Sequence, residues 1–154
     1  MTKEEFKQFC HNEFIRRGFV KRKSMYYLKG KDLLCGLYLQ KSMAEAFYVE
    51  YDYFLDEYED IKKYPNHYDA DIWGHICVMS KDTIKGEHFM DGLIEYERYT
   101  DEEIVPYFEE TFKRYILPPL EKGKRIILEN PNYYLESVFP REREKILQKL
   151  KEEI

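Results

Sequence analysis

Apolar residues recur at helical spacing near both ends of the chain and at two-residue spacing between them, and this change of period sets the expected fold. Phe6, Phe9, Cys10 and Phe14 fall along one side of a helix. Thr2-Lys3-Glu4-Glu5 ahead of them is a capping box, and Gly18 after Arg16 and Arg17 is a stop signal, so the pattern predicts a helix over 3–17. From Phe19 onward the alternation is that of strands. Met25–Leu28 and Leu33–Ser42 flank the polar turn Lys29-Gly30-Lys31-Asp32 as the arms of a hairpin, with Leu33, Cys35, Leu37 and Leu39 on one face. Phe47–Leu55 reads as a third strand, in which Glu50 and Asp52 share a face with Tyr48 and Phe54. Residues 56–71 form a polar, acidic loop, Ile72–Ser80 a fourth strand and Leu93–Tyr99 a fifth.

Helical spacing returns at Thr100-Asp101-Glu102-Glu103, a second capping box, followed by Ile104, Phe108, Phe112 and Tyr115. Pro106 implies either a start near it or an irregular first turn, and Pro118-Pro119 a break or kink. Residues 124–139 carry no decisive pattern. Pro140 suits the first turn of a last helix bearing Ile146, Leu147, Leu150 and Ile154. The expected fold is α+β: an antiparallel β-meander of about five strands, with an N-terminal helix and C-terminal helices grouped on one face. One domain, 1–154, is expected.

Composition narrows the class. An aromatic share of 17%, with 15 tyrosines and 10 phenylalanines, excludes intrinsic disorder. No apolar run is long enough for a membrane span, and the charged start lacks the apolar core of a signal peptide. Cys10, Cys35 and Cys77 are odd in number and widely spaced, which argues against a disulfide framework and for a reducing, cytoplasmic setting. The net charge of −5 conceals an asymmetry: residues 1–43, 44–112 and 113–154 carry +6, −14 and +3. A nucleic-acid binder would show a dominant basic balance, so no nucleic-acid partner is expected, and no membrane partner either. The acidic middle favours a protein partner, a basic one by its charge.

Arg17-Gly18-Phe19-Val20-Lys21-Arg22-Lys23, the turn Gly30-Lys31-Asp32-Leu33, the run Leu39-Gln40-Lys41-Ser42 and the later Leu117-Pro118-Pro119-Leu120 occur in an order that resembles the bacterial domain-of-unknown-function family DUF4304. The resemblance is densest over 14–55 and thinner over 72–121. It implies the same order of helix, hairpin, strands and late helix, and it brings no activity or catalytic residues with it.

Four constellations carry candidate chemistry. His67, Asp69, Asp71, His75 and His88 are metal-ligand types, but their spacing matches no compact metal motif, and no metal or cofactor is expected. Glu50 with Asp52, and Glu95 with Glu97, stand at i, i+2 on predicted strands. If those strands are neighbours, the four carboxylates line one patch, either as a solvated sheet face or as a hydrolytic pair. Gln40, Lys41 and Ser42 end a strand and either bind an anion or backbone segment or cap the turn. Tyr48 is one of several strand tyrosines suited to an interface. No nucleophile elbow, phosphate loop or dinucleotide fingerprint occurs. The favoured function is therefore a non-catalytic binding module that recognises a protein through an acidic, tyrosine-rich sheet face formed by Glu50, Asp52, Glu95, Glu97, Gln40, Lys41, Ser42 and Tyr48. The alternative is a small hydrolase-type enzyme using the paired carboxylates.

Overall fold

The computed structural model describes residues 1–153, so Ile154 of the predicted last-helix stripe lies outside the described residues. Helix α1 (Lys3–Arg16) begins at the expected capping box, with the Thr2 hydroxyl accepting from the Glu5 amide and the Glu5 carboxylate accepting from the Thr2 amide. It buries Phe6, Cys10 and Phe14 against the sheet, while Phe9 is only partly covered.

Strands β1 (Val20–Arg22), β2 (Met25–Lys29), β3 (Leu34–Lys41), β4 (Phe47–Phe54) and β5 (Ile72–His75) follow one another in space as in sequence, each antiparallel to its neighbour. The span 19–55 thus holds four strands where three were expected. The predicted strand Ile72–Ser80 is divided: it breaks after His75, and its second part joins a separate hairpin of β6 (Val78–Ile84) and β7 (Glu87–Asp91). Lys85 and Gly86 turn that hairpin with positive φ at both positions, the geometry of a tight two-residue turn. The predicted fifth strand is corrected more severely. Only β8 (Leu93–Ile94) is extended, pairing with Phe47 and Tyr48 of β4, and Tyr96–Arg98 is a 3-10 turn. With Tyr96 and Tyr99 buried and Tyr99 donating to the Met79 carbonyl, the chain there turns inward.

The helices all lie on one face of the sheet. Helix α2 (Asp101–Thr111) starts at the second capping box and passes through Pro106. A π-helical turn (Phe112–Ile116) leads into α3 (Leu117–Lys122), then α4 (Lys124–Glu129), the short α5 (Pro131–Tyr134) and α6 (Pro140–Glu153). Their apolar residues share one core with α1 and with Cys35, Leu37, Val49, Tyr53 and Ile72 of the sheet. The β2–β3 turn is tied into this layer. Lys31 N–H donates to the Leu120 carbonyl at 2.9 Å, and the Asp32 carboxylate accepts from Lys124 N–H at 2.8 Å. A Cβ at Gly30 would lie 2.9 Å from the Leu120 Cα, so only glycine lets the turn approach the Leu117–Leu120 segment this closely.

The opposite face is covered by residues 56–71. This loop contains two 3-10 turns, Ile61–Lys63 and His67–Asp69. Asp71 closes its base by accepting from Leu55 N–H at 2.7 Å, and the Tyr27 hydroxyl donates to the Pro65 carbonyl at 2.5 Å. Beneath it Met25, Tyr27, Leu34 and Phe54 form a second, smaller core with Tyr58, Tyr64 and Ala70.

Leu37 is 0% exposed, whereas Leu39 on the same face is only half-buried near the end of β3. Leu37→Ala should therefore cost about 2–5 kcal/mol, as cavity-forming core changes do, with Leu39→Ala well below it. Chemical denaturation of the two variants tests the assignment: equal losses would mean that the inward end of β3 is misplaced.

Candidate functional site

The register of β3, β4 and β5 aligns two rows across the loop-covered face: Tyr38–Glu50–His75 and Gly36–Asp52–Trp73. Glu50 and Asp52 are therefore side by side, as their spacing requires, but the expected solvated sheet face is not what holds them. Glu50 is 8% and Asp52 0% exposed. The physical reason is the loop: His67 folds back over β3 and β4, stacking on Tyr38 with ring centroids 3.9 Å apart and placing Nδ1 3.3 Å from the Glu50 carboxylate.

Burial changes the chemistry of the pair. Among the described residues neither Asp52 oxygen meets a conventional donor, which leaves the Glu50 carboxyl as its hydrogen-bond partner, and a bond between two carboxyls requires one proton. Desolvation, then the Glu50 hydrogen bond and charge, hold the Asp52 carboxyl far above the ordinary aspartate range, so Asp52 keeps that proton at neutral pH. The His67–Glu50 contact has the separation of an ion pair but not the alignment of a hydrogen bond, since Glu50 Oε2 has no directed partner among the described residues. Burial lowers the pKa of His75, against the opposing pull of Glu50.

The other predicted residues are dispersed. Glu95 and Glu97 lie at the 3-10 turn after β8, with Glu95 paired to Arg98, and they form no patch with Glu50 and Asp52. Gln40 and Lys41 face Tyr48 and Phe47 across the β3–β4 connection. Lys41 donates to the Ser42 and Ala44 carbonyls, while Ser42 Oγ accepts from Ala44 N–H at 3.1 Å, so Lys41 and Ser42 stabilise the turn. Tyr48 stacks on His75 with centroids 4.9 Å apart. Of the metal-ligand types, Asp71 closes the loop and His88 bonds the Ser80 carbonyl. Among the described residues no three His, Cys, Asp or Glu side chains are grouped to hold a metal ion.

A feature the sequence left undetected lies at the free edge of β5. A cleft of about 690 Å³ runs between this edge and the helical layer, with Trp73, Gly74 and His75 on one side and Tyr115, Tyr133 and Tyr134 on the other. Such a volume is within the range of small-ligand sites, about 300–1,000 Å³. Its aromatic wall follows from the proline pair. Pro118 and Pro119 have no N–H, so the carbonyls of Arg114 and Tyr115 lose their helical donors. The helix widens to a π turn, in which Leu117 N–H reaches Phe112, and the Tyr53 hydroxyl donates to the Tyr115 carbonyl instead. Tyr115 then stacks at 4.8 Å on Tyr133 and at 6.4 Å, nearly parallel, on Tyr51. Tyr51 lies across Gly74, where any Cβ would collide with its ring. Burial pushes the Tyr51 hydroxyl far above its usual pKa, so this ring carries no charge. Trp73 is 41% and Tyr133 39% exposed, and Glu110, Arg114 and Glu136 also line the cleft. The signal in the sequence was Tyr133-Tyr134 within the unassigned 124–139 stretch.

No family model, curated protein or solved structure matches this chain.

The buried carboxyl pair makes stability depend on pH. Asp52 binds its proton more tightly folded than unfolded, so its contribution is present below the unfolded value of about 4 and is lost as pH rises toward the raised native value. Over that window the parent should lose up to about 1.4 kcal/mol per pH unit from this one group. Asp52→Asn should flatten the slope and gain relative stability at neutral and mildly alkaline pH. Urea denaturation across this range checks it, and parallel slopes for parent and variant would show that Asp52 is ionised in the fold.

Proposed function

We propose that this protein is a non-catalytic binding module that recognises a protein partner by holding a basic segment in the tyrosine-lined cleft at the edge of β5. The observation that carries this reading is the near-parallel set of Tyr51, Tyr115 and Tyr133 rings opposite the exposed Trp73. Aromatic faces attract Lys and Arg side chains through the ring quadrupole, and rigid tyrosines contribute contact area at low entropic cost. Two carboxylates, Glu110 and Glu136, supply the complementary charge; Glu110 is engaged by Arg114. Tyr48, stacked on His75, continues the same aromatic surface onto the sheet. The tyrosine part of the expected face is thus retained in this proposal, with the acidic part moved from Glu50 and Asp52 to Glu110 and Glu136.

The hydrolase alternative has the perturbed Asp52 carboxyl in its favour. Against it, loop 56–71 closes over both carboxyls, and neither borders the cleft.

Trp73 is the only tryptophan, so its emission reports on the cleft directly. Titration with an arginine-rich peptide should change that emission saturably, while a glutamate-rich peptide of equal length should not. Tyr133→Ala should weaken the basic peptide roughly fivefold, the scale of one cation–π contact of about 1 kcal/mol, and Glu136→Lys should weaken it further. Unchanged Trp73 emission, or equal affinity for both variants and the parent, would remove the cleft as the recognition site.

A further inference from the structure

Helix α1 sorts its charges between two flanks. Glu5 and Glu13, with Gln8 and Asn12, border the groove between α1 and α2. On the other flank Lys3, Lys7 and His11, each four residues apart, border a groove of about 570 Å³ against the sheet, where Lys21, Ser24 and Lys41 face them. In a chain of net charge −5 this groove contains four lysines and one carboxylate, Glu4. Its two ends differ. Glu45 lies close enough to Lys41 and Lys3 to feel both charges, so with Glu4 it offsets that end. At the other end Lys7 and Lys21 enter no ion pair among the described residues.

Tyr26 organises this end. It is the cross-strand partner of Lys21, whose Nζ is 5.8 Å from its ring centre, and its hydroxyl is 2.7 Å from His11 Nδ1. Tyr26 is buried and His11 is the one hydrogen-bond partner of its hydroxyl among the described residues, so the O–H donates to Nδ1 rather than remaining unpaired. In the neutral ring the imidazole hydrogen is then on Nε2, which makes His11 a donor. Lys7, His11, Lys21 and Ser24 therefore surround the groove with donors, two of them fixed around one buried phenol.

We propose that the Lys7–His11–Lys21 end of this groove binds an oligophosphate chain. An oligophosphate concentrates several negative charges and many acceptor oxygens in a small volume, which matches donors converging from a helix, a strand and the turn after it. The rings beneath, Tyr26 and Phe47, are buried and offer no open face on which a base could stack, so the groove reads phosphoryl groups alone. The site is separate from the β5 cleft and does not depend on its ligand.

The test is a titration of the intact chain with tripolyphosphate, followed by NMR of the His11 ring, with ATP as a second arm and sulfate at matched ionic strength as a control. A saturable shift of the His11 ring is expected with tripolyphosphate and not with sulfate. Lys7→Glu and Lys21→Glu should each weaken binding by about tenfold or more, the scale of one lost charge-assisted hydrogen bond. Glu136→Lys, in the β5 cleft, should leave it unchanged. Lys7 and Lys21 are exposed, so circular dichroism should show both reversals folded, and Lys7→Gln and Lys21→Gln should give smaller losses in the same direction. An unshifted His11 ring at millimolar tripolyphosphate, or parental affinity in both reversals, overturns the proposal. ATP binding far tighter than tripolyphosphate would overturn the claim that phosphoryl groups alone are recognised.

Discussion

Strand β4 is paired along both edges and covered on both faces, and the rest of the architecture follows from that constraint. Along one edge it pairs with all of β3, and along the other with β5 and β8. Phe47, Val49 and Tyr53 enter the helical core on one face, and Glu50, Asp52 and Phe54 lie under loop 56–71 on the other. A central strand of this kind would ordinarily be apolar on both sides. Here two carboxyls occupy the second face, and burying ionised groups without partners is costly. The shared proton between Asp52 and Glu50 and the approach of His67 are what make that burial tolerable.

Backbone groups that lose their usual partners fix the helical layer onto the sheet. The proline pair removes two donors from the helix, and the Tyr115 carbonyl is satisfied from the sheet by Tyr53. Five residues later Asp32, from the β2–β3 turn, accepts from the first amide of α4. Gly30 permits the close passage between them. Two segments that are far apart in the chain, Gly30–Leu33 and Leu117–Leu120, thus meet in space.

Charge is distributed by element rather than by segment. The −14 of residues 44–112 does not form one field. Part is buried with Asp52, part caps α2 through Glu103, and part is spent in pairs such as Arg98–Asp82 and Lys149–Asp56. Charge at the clefts is likewise local: Glu110 and Glu136 stand beside tyrosines, and lysines line one flank of α1. Aromatic and charged groups thus meet at defined places instead of on an open face.

The sequence by itself determined the elements whose causes are local. The capping boxes at Thr2 and Thr100, the apolar stripe of α1, the hairpin at Gly30 and the alternation in β3 and β4 all act within a few residues, and all appear at the expected positions. The antiparallel order of β2 to β4 followed, since short connections allow nothing else, while β1 was an addition of the structure. Tertiary structure alone decided that neither face of β4 meets water, because this depended on a sixteen-residue loop held by Tyr27–Pro65, Leu55–Asp71 and Tyr38–His67, pairs whose members are distant in sequence. It also decided that Leu93–Tyr99, with strand-like alternation, turns after Ile94 to bury Tyr96 and Tyr99. The tyrosine cleft arose in the same way: Tyr51, Tyr115 and Tyr133 come from three elements, and only the packing of a π turn against a strand edge brings their rings together. Periodicity reports which side of an element is apolar, but burial is a property of what another part of the chain places over it.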